Sequence, residues 1–572
     1  MLALMQKKTI DWILSLELTG QGEDFRDLAF RAVEAVRSVA AARERLLKSV
    51  VIADDMTERA RRLEQELARE AAVTRQGIFE DRGTPKPLFQ DPASFLAHIL
   101  ERDRLEREVA ALYVGLASQQ GLAFHADRQA IAGALPPGSV AVGYWCYSVE
   151  RVGSKTQQVA SPVASYLAFV LRPDGSMARV ELGPAQAIED ALKEYRDAIG
   201  VAGGRGTPLV AQLGTEARER DVGERLRALV LDPLLPHLGN AKRLIIAPDD
   251  VLHLIPLAAL PLDRGAVAAR YDIELRTSLK EITVSKQPTL NPPSLLALGG
   301  IAYDHSGGST AGPVASAEGI VRGATRDAVR AGPWELGFVP LPETRGEVVG
   351  VDALFRTAFE HAPGDVLLGE AATRDALAQF APKARFVHLA THGYFTPESV
   401  AASIKDDRSL GARASPGRIM PFDEQVRGFA PMELCGLAFA GANLPPDRYG
   451  FIPGVMTASE IARLDLRRCE LVVLSACDTN VGVRRAGQGI ASLQQAVYAA
   501  GARASLTSLW KVPDEATREL MIDFYRRMWI ERKPKRQALF ESQEKMRTAR
   551  DERGRPKYRT RDWAAWVLVG EE

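Results

Sequence analysis

A succession of short, continuously apolar runs, separated by stretches with helical periodicity, constrains this chain more than any other feature. Arg243-Leu-Ile-Ile-Ala247, Ser294-Leu-Leu-Ala-Leu298, Phe386 to Leu389, Glu433 to Phe439, Leu471 to Ala476, Ala504 to Leu509 and Trp566 to Val569 read as strands. Between several of them lie helix candidates: Thr344 to Phe355, Arg374 to Phe380, Gly489 to Ala500 and Glu515 to Met528. A strand that is apolar on both sides must be covered on both faces. The alternation therefore predicts an α/β fold, a largely parallel sheet flanked by helices.

Two other textures precede it. From Phe25 to Val73 the apolar positions Phe25, Leu28, Val36, Val39, Leu46, Val50, Leu63 and Leu67 recur mostly at three- and four-residue intervals, and a second helical stretch runs from Pro92 to Ser118. These helices fit a hairpin packed on the next domain, the end of a helical repeat array, or a partner-binding arm; no 34-residue self-similarity is evident. Val140 to Val149 and Tyr166 to Leu171 are β-rich and suggest a hairpin. The expected organisation is an α-helical region over 1–120, a hairpin-containing connecting segment over 121–210 and the α/β domain over 211–572. At 572 residues the chain is too long for a single core. Tyr303 to Pro340 and Thr396 to Pro431 read as long loops, the first with room for one helix and the second placed to wall or cover a cleft.

Composition narrows the function classes. Lys+Arg and Asp+Glu both total 73, so net charge gives no reason to expect nucleic acid or an anionic membrane as partner. No apolar run approaches the roughly 18 residues of a membrane span, and Met1-Leu-Ala-Leu-Met-Gln-Lys-Lys has its charges in the wrong order for a signal peptide. Cys146, Cys435, Cys469 and Cys477 are few and scattered, which suits free thiols in a reducing cytoplasm.

Two of the apolar runs end in reactive side chains. Arg385-Phe-Val-His-Leu-Ala-Thr-His-Gly393 delivers His392, and Leu471-Val-Val-Leu-Ser-Ala-Cys477 delivers Cys477. In a parallel sheet both would emerge at the carboxyl edge, where α/β proteins hold their sites. A thiol and an imidazole there are the parts of a cysteine nucleophile, with the N–H groups of Gly393 and Cys477 as candidate oxyanion donors. His388 and His392 are four apart, but on a strand that separates them by about 13 Å at about 3.3 Å per residue, so no shared metal is expected. His388 is expected to be buried and hydrogen-bonded, Cys435 to be core and Cys469 structural. Cys146 lies in the hairpin beside Trp145 and Tyr147.

These residues resemble the CHAT family of bacterial caspase-like cysteine peptidases. The resemblance rests on an ordered series: Arg243 to Leu260, Leu341-Pro-Glu-Thr-Arg-Gly-Glu347, His388 to Gly393, Leu474-Ser-Ala-Cys-Asp-Thr479, Gly501 to Trp510 leading into Asp514-Glu-Ala-Thr517, and Trp563 to Gly570. It covers roughly residues 210 to 572 and more weakly from about 126. It implies a caspase-like fold and hydrolysis of peptide bonds, with Cys477 as nucleophile and His392 as its base. It implies a protein substrate, no metal or organic cofactor, and activation by a signal or by a protein partner on the N-terminal helices. Family members often carry tetratricopeptide repeats, which are not evident here.

Asp478, Trp510 and Asp514 follow strand ends near the expected cleft. There the acids would favour a basic side chain before the scissile bond; both are also residue types that cap turns and helices. Arg484-Arg485 is either a self-processing site or a surface pair. Two other readings stand beside the peptidase, a catalytically silent scaffold and a thiol acyltransferase using the same dyad.

Overall fold

The computed structural model describes residues 9–15, 23–37, 127–149, 163–201, 215–283, 289–305, 337–395, 435–445, 452–476, 483–485, 489–491 and 493–572, with isolated positions between 62 and 108. The strands that matter are β1 (Ser139–Val149), β2 (Val163–Leu171), β3 (Met177–Pro184), β4 (Arg243–Ala247), β5 (Asp272–Leu275), β6 (Leu295–Ile301) and β7 (Gly364–Gly369). They continue with β8 (Phe386–Thr391), β9 (Gly393–Phe395), β10 (Cys435–Ala438), β11 (Val455–Thr457), β12 (Leu471–Ala476), β13 (Ala504–Ser508) and β14 (Trp566–Gly570). The principal helices are α1 (Glu23–Val36), α2 (Ala185–Ala198), α3 (Glu216–Val230), α4 (Pro342–Ala358), α5 (Arg374–Phe380), α6 (Ala458–Ala462), α7 (Leu493–Ala500), α8 (Asp514–Tyr525) and α9 (Lys535–Thr548).

Eleven strands form one sheet in the order β3-β2-β1-β4-β5-β14-β13-β12-β8-β6-β7. Neighbours run parallel from β1 to β14 and again from β13 to β7, while β13 and β14 are antiparallel. The sheet is thus two parallel groups pointing opposite ways, and their carboxyl ends lie on opposite edges. Every residue of β8 is buried, which is why its sequence is apolar without alternation. One face packs against α4, whose buried positions Thr344, Glu347, Val348, Val351 and Phe355 follow helical spacing, and against α8. The other face packs in a second core with α6 and α7.

Several expectations change. The hairpin of β1 and β2 forms, but β1 also pairs in parallel with β4, from Ser139 opposite Arg243 to Gly143 opposite Ala247. Residues 139–184 therefore extend the main sheet and are not a connecting segment. The reason lies in β1 itself, whose first nine residues are all buried, more than a two-stranded hairpin can cover. The run from Glu433 to Phe439 does not join the large sheet. Its strand β10 sits between β9 and β11 in a separate antiparallel sheet. Gly436 makes this possible, since a Cβ there would lie 2.2 Å from Met456 O and 2.5 Å from the Tyr394 hydroxyl. The last predicted helix ends at Tyr525, and a π-turn covers Arg526–Ile530.

Of the N-terminal helices, α1 is described and is docked onto the sheet by buried charges. Glu34 Oε2 accepts from Ser278 Oγ at 2.9 Å and from Leu279 N at 3.0 Å. Arg37 Nη1 donates to Ala247 O at 3.2 Å and Pro248 O at 2.9 Å, at the end of β4. Lys280 Nζ donates to the Glu34 and Arg37 carbonyls, each at 3.0 Å, capping the helix. Apart from isolated positions, residues 38–126 lie outside the described residues, as do the expected helix between 306 and 336 and the cleft loop from 396 to 431. Among the described residues no helix is long and apolar enough to cross a membrane.

Candidate active site

Strands β8 and β12 are neighbours in register, from Phe386 opposite Leu471 to Thr391 opposite Ala476. Adjacent strands lie about 4.8 Å apart, and the next residues in the chain are His392 and Cys477. Cys477 and Asp478 lie outside the described residues. At His392 the chain turns out of the main sheet: β8 ends at Thr391 and β9 begins at Gly393. Thr391 Oγ1 donates to Ala438 O, and Ala438 N donates to His392 O at 3.0 Å, so β10 fixes the turn. That bond makes Gly393 and Leu437 a pair that exchanges no ladder hydrogen bonds, and the Gly393 N–H is directed away from β10.

The imidazole of His392 is held from three sides. Its Nε2 lies 2.7 Å from Val339 O, and its ring packs 5.3 Å from Tyr303 and 5.6 Å from Phe338. A carbonyl can only accept, so Nε2 carries the proton and, in the neutral ring, Nδ1 is the acceptor. The segment bearing Val339 is itself pinned. Asn443 Oδ1 accepts from Phe338 N at 2.7 Å, and Asn443 Nδ2 donates to Phe338 O at 3.0 Å and Asp304 Oδ1 at 2.9 Å. Burial holds the His392 pKa below the ordinary histidine value; the Val339 hydrogen bond and Asp514 oppose the shift, and Lys511 adds to it. The ring is therefore uncharged at neutral pH.

His388 is buried beneath the site, as expected. Its Nε2 lies 2.9 Å from Glu347 Oε1 and its Nδ1 lies 3.1 Å from the Tyr525 hydroxyl, which joins β8 to α4 and α8. Burial first, and then Glu347, raises the Tyr525 pKa well above its usual value, so the phenol stays protonated.

Asp514 opens α8 but is not its cap. The N-cap is Pro513, which makes no side-chain cap bond. Asp514 instead borders a chamber together with Thr391, Ser475 and Glu347. Its pKa is raised, by burial above all, with Lys511 acting against the shift. Trp510 does not border the cleft. It is fully buried, its Nε1–H donates to Arg561 O at 2.8 Å and its ring lies under Arg196, so it supports α8 from inside. Arg484 and Arg485 belong to a short hairpin, Val483–Arg485 paired with Gly489–Ala491. Cys146, Cys435 and Cys469 are buried, and burial pushes the Cys469 thiol up to about 12, which leaves it inert.

Three features were not identified from the sequence. The Val339 carbonyl is a backbone atom and leaves no signature. Ser475 reads as one polar residue in an apolar run. Glu347 had a signal, because a buried histidine needs partners and Glu347 belongs to the segment that begins α4.

The CHAT domain family model matches residues 220–571, more than half of the chain. The chain belongs to the CHAT domain family. The match begins at α3, so β1, β2 and β3 precede it although they share the sheet. Among solved structures, the Saccharomyces cerevisiae separase in its complex with securin is similar at 9% identity, covering 85% of this chain and 34% of the separase chain, with a TM-score of 0.41. This chain thus spans about a third of that separase chain. The Arg-specific cysteine proteinase gingipain R is similar at 8% identity, covering 68% of this chain and 74% of that one, with a TM-score of 0.31. A comparison with curated proteins found no match.

Proposed function

We propose that this CHAT domain is a caspase-like cysteine endopeptidase in which Cys477 is the nucleophile and His392 its base. The observation that supports this most is the state of His392. Its Nε2 is committed to Val339 O at 2.7 Å, which leaves Nδ1 as acceptor at the carboxyl end of a strand in register with the one leading to Cys477. Nδ1 takes the thiol proton as sulfur attacks the scissile carbonyl. The N–H groups of Gly393 and Cys477 stabilise the oxyanion. His392 then returns the proton to the leaving amine, and water, activated by the same nitrogen, hydrolyses the acyl-enzyme. The backbone carbonyl of Val339 takes the orienting part that a carboxylate plays in other triads.

The nucleophile must stay a reduced thiol, which agrees with a cytoplasmic site of action. Activity is gated by a protein partner on the N-terminal helices, where Trp12 and Leu28 remain exposed. Proteome-wide profiling of new N-termini tests the reading. The wild-type chain should generate cleavages that Cys477→Ala does not, whereas identical profiles would favour a scaffold.

A further inference from the structure

We infer that Asn443 is the positioning residue of this site: its side-chain amide aims the Val339 carbonyl at His392 Nε2 and so decides which ring nitrogen is left to accept a proton. The use made of that nitrogen rests on the peptidase reading; the choice of tautomer does not. Val339 O makes the 2.7 Å contact to Nε2, yet Val339 belongs to no helix or strand. Its side chain is 51% exposed, so its own packing does not hold the carbonyl in place. Something beside it must.

Asn443 takes both backbone groups of the preceding residue. Its Oδ1 accepts from Phe338 N at 2.7 Å, and its Nδ2 donates to Phe338 O at 3.0 Å. An amide offers an acceptor and a donor together, which the isosteric carboxylate of aspartate cannot. The second Nδ2 hydrogen goes to Asp304 Oδ1 at 2.9 Å, which fixes the amide orientation. Gly337 leaves room for the clamp: its φ is +67°, and a Cβ there would lie 2.9 Å from Asn443 Oδ1. On the far side Pro340 follows Val339 and biases it to extended backbone. Between a clamped Phe338 and a restricted Val339, the carbonyl has little freedom left.

The stretch that carries Asn443 also holds the histidine. Ala438 N donates to His392 O at 3.0 Å, and Asn443 N donates to Tyr303 O at 2.9 Å. The Tyr303 ring in turn packs 5.3 Å from the imidazole. Gly454 lets this stretch turn tightly, since a Cβ there would lie 2.1 Å from Ala442 N. The residues from Ala438 to Asn443 therefore fix both partners of the His392–Val339 hydrogen bond, the ring through its own backbone and the carbonyl through Phe338. A donor and an acceptor set by one rigid piece keep their distance.

Nitrogen NMR of the full-length chain, isotope-labelled at its eight histidines, reads the tautomer directly, with His392→Gln identifying the signals. Above the pH at which the ring titrates, wild-type His392 should show a protonated Nε2 and a bare Nδ1. In Asn443→Ala the two shifts should draw together, the ratio of tautomers falling by about tenfold, roughly the worth of one hydrogen bond. Gly337→Ala, which crowds Oδ1 from the other side, should move the ratio the same way, and the double variant should move it no further than Asn443→Ala. Asp304 is exposed, and Asp304→Ala removes one of the three bonds, so a smaller shift in the same direction is expected. An unchanged tautomer in Asn443→Ala or, should that variant not fold, in both Gly337→Ala and Asp304→Ala, would overturn the inference. Iodoacetamide alkylation of Cys477 in the same proteins reads the dyad separately. A rate that falls with the tautomer ratio supports both assignments. A tautomer shift without a change in rate supports the role of Asn443 and counts against His392 as the base of Cys477. A slower rate with the tautomer unmoved refutes the positioning role and leaves the dyad standing.

Discussion

His392 can serve as a base only if its two nitrogens differ, and a backbone carbonyl makes them differ. The 2.7 Å contact to Val339 O commits Nε2, and burial keeps the ring neutral. Lys511 disfavours the imidazolium, so Lys511→Met should raise the His392 pKa. The protonated ring would then persist to higher pH, and the acidic limb of kcat/KM should move toward higher pH with its basic limb unchanged. A pH–rate series on the two proteins checks the direction. The sequence marks His392 as a candidate, because an apolar run ends on it, and it was sufficient to assign His388 to the interior. It could not reveal Val339, since any residue presents the same carbonyl. Trp510 misled for the opposite reason: an aromatic after a strand end reads equally as cleft wall or as core, and only packing decides.

Two apolar runs and one capped helix were readable with correct ends; Arg243–Ala247, Leu471–Ala476 and the Thr373-capped Arg374–Phe380 coincide with the expectation. One strand that escaped carries charges that are neutralised from afar. In β5, Asp272 and Glu274 interrupt the apolar pattern, yet Arg536 on α9 reaches Asp272 Oδ1 at 2.7 Å and Glu274 Oε2 at 3.1 Å. The sheet membership of β10 was hidden because its partners lie up to 44 residues away along the chain, at Gly393–Phe395 and Val455–Thr457. Helix α1 gives the clearest energetic expectation at this scale. Glu34→Ala strands the fully buried Arg37 without its carboxylate and removes the acceptor of Ser278 and Leu279. Breaking such a buried pair from one side should cost about 3–5 kcal/mol. Urea unfolding of the variant measures it, and a loss under about 1 kcal/mol would mean that α1 is not a structural part of the fold.

Across the whole molecule, one eleven-stranded sheet joins the region preceding the family match to the region that carries His392. A fragment starting at residue 211 would lack β1, β2 and β3 and expose the edge of β4, so it should aggregate or unfold where the full chain does not. Size-exclusion chromatography of the two decides this. The same sheet sets the central claim, since β8 and β12 lie side by side and His392 and Cys477 are the residues that follow them in the chain. The rate at which iodoacetamide alkylates Cys477, followed by peptide mass against pH in wild type and His392→Ala, tests it most directly. The buried Cys146, Cys435 and Cys469 should react far more slowly. In the wild type the rate should climb through an inflection below about 6.5 as His392 loses its proton; the variant should lose that step and rise only toward about 8.5, the value of an unassisted thiol. Superimposable profiles would contradict a Cys477–His392 dyad.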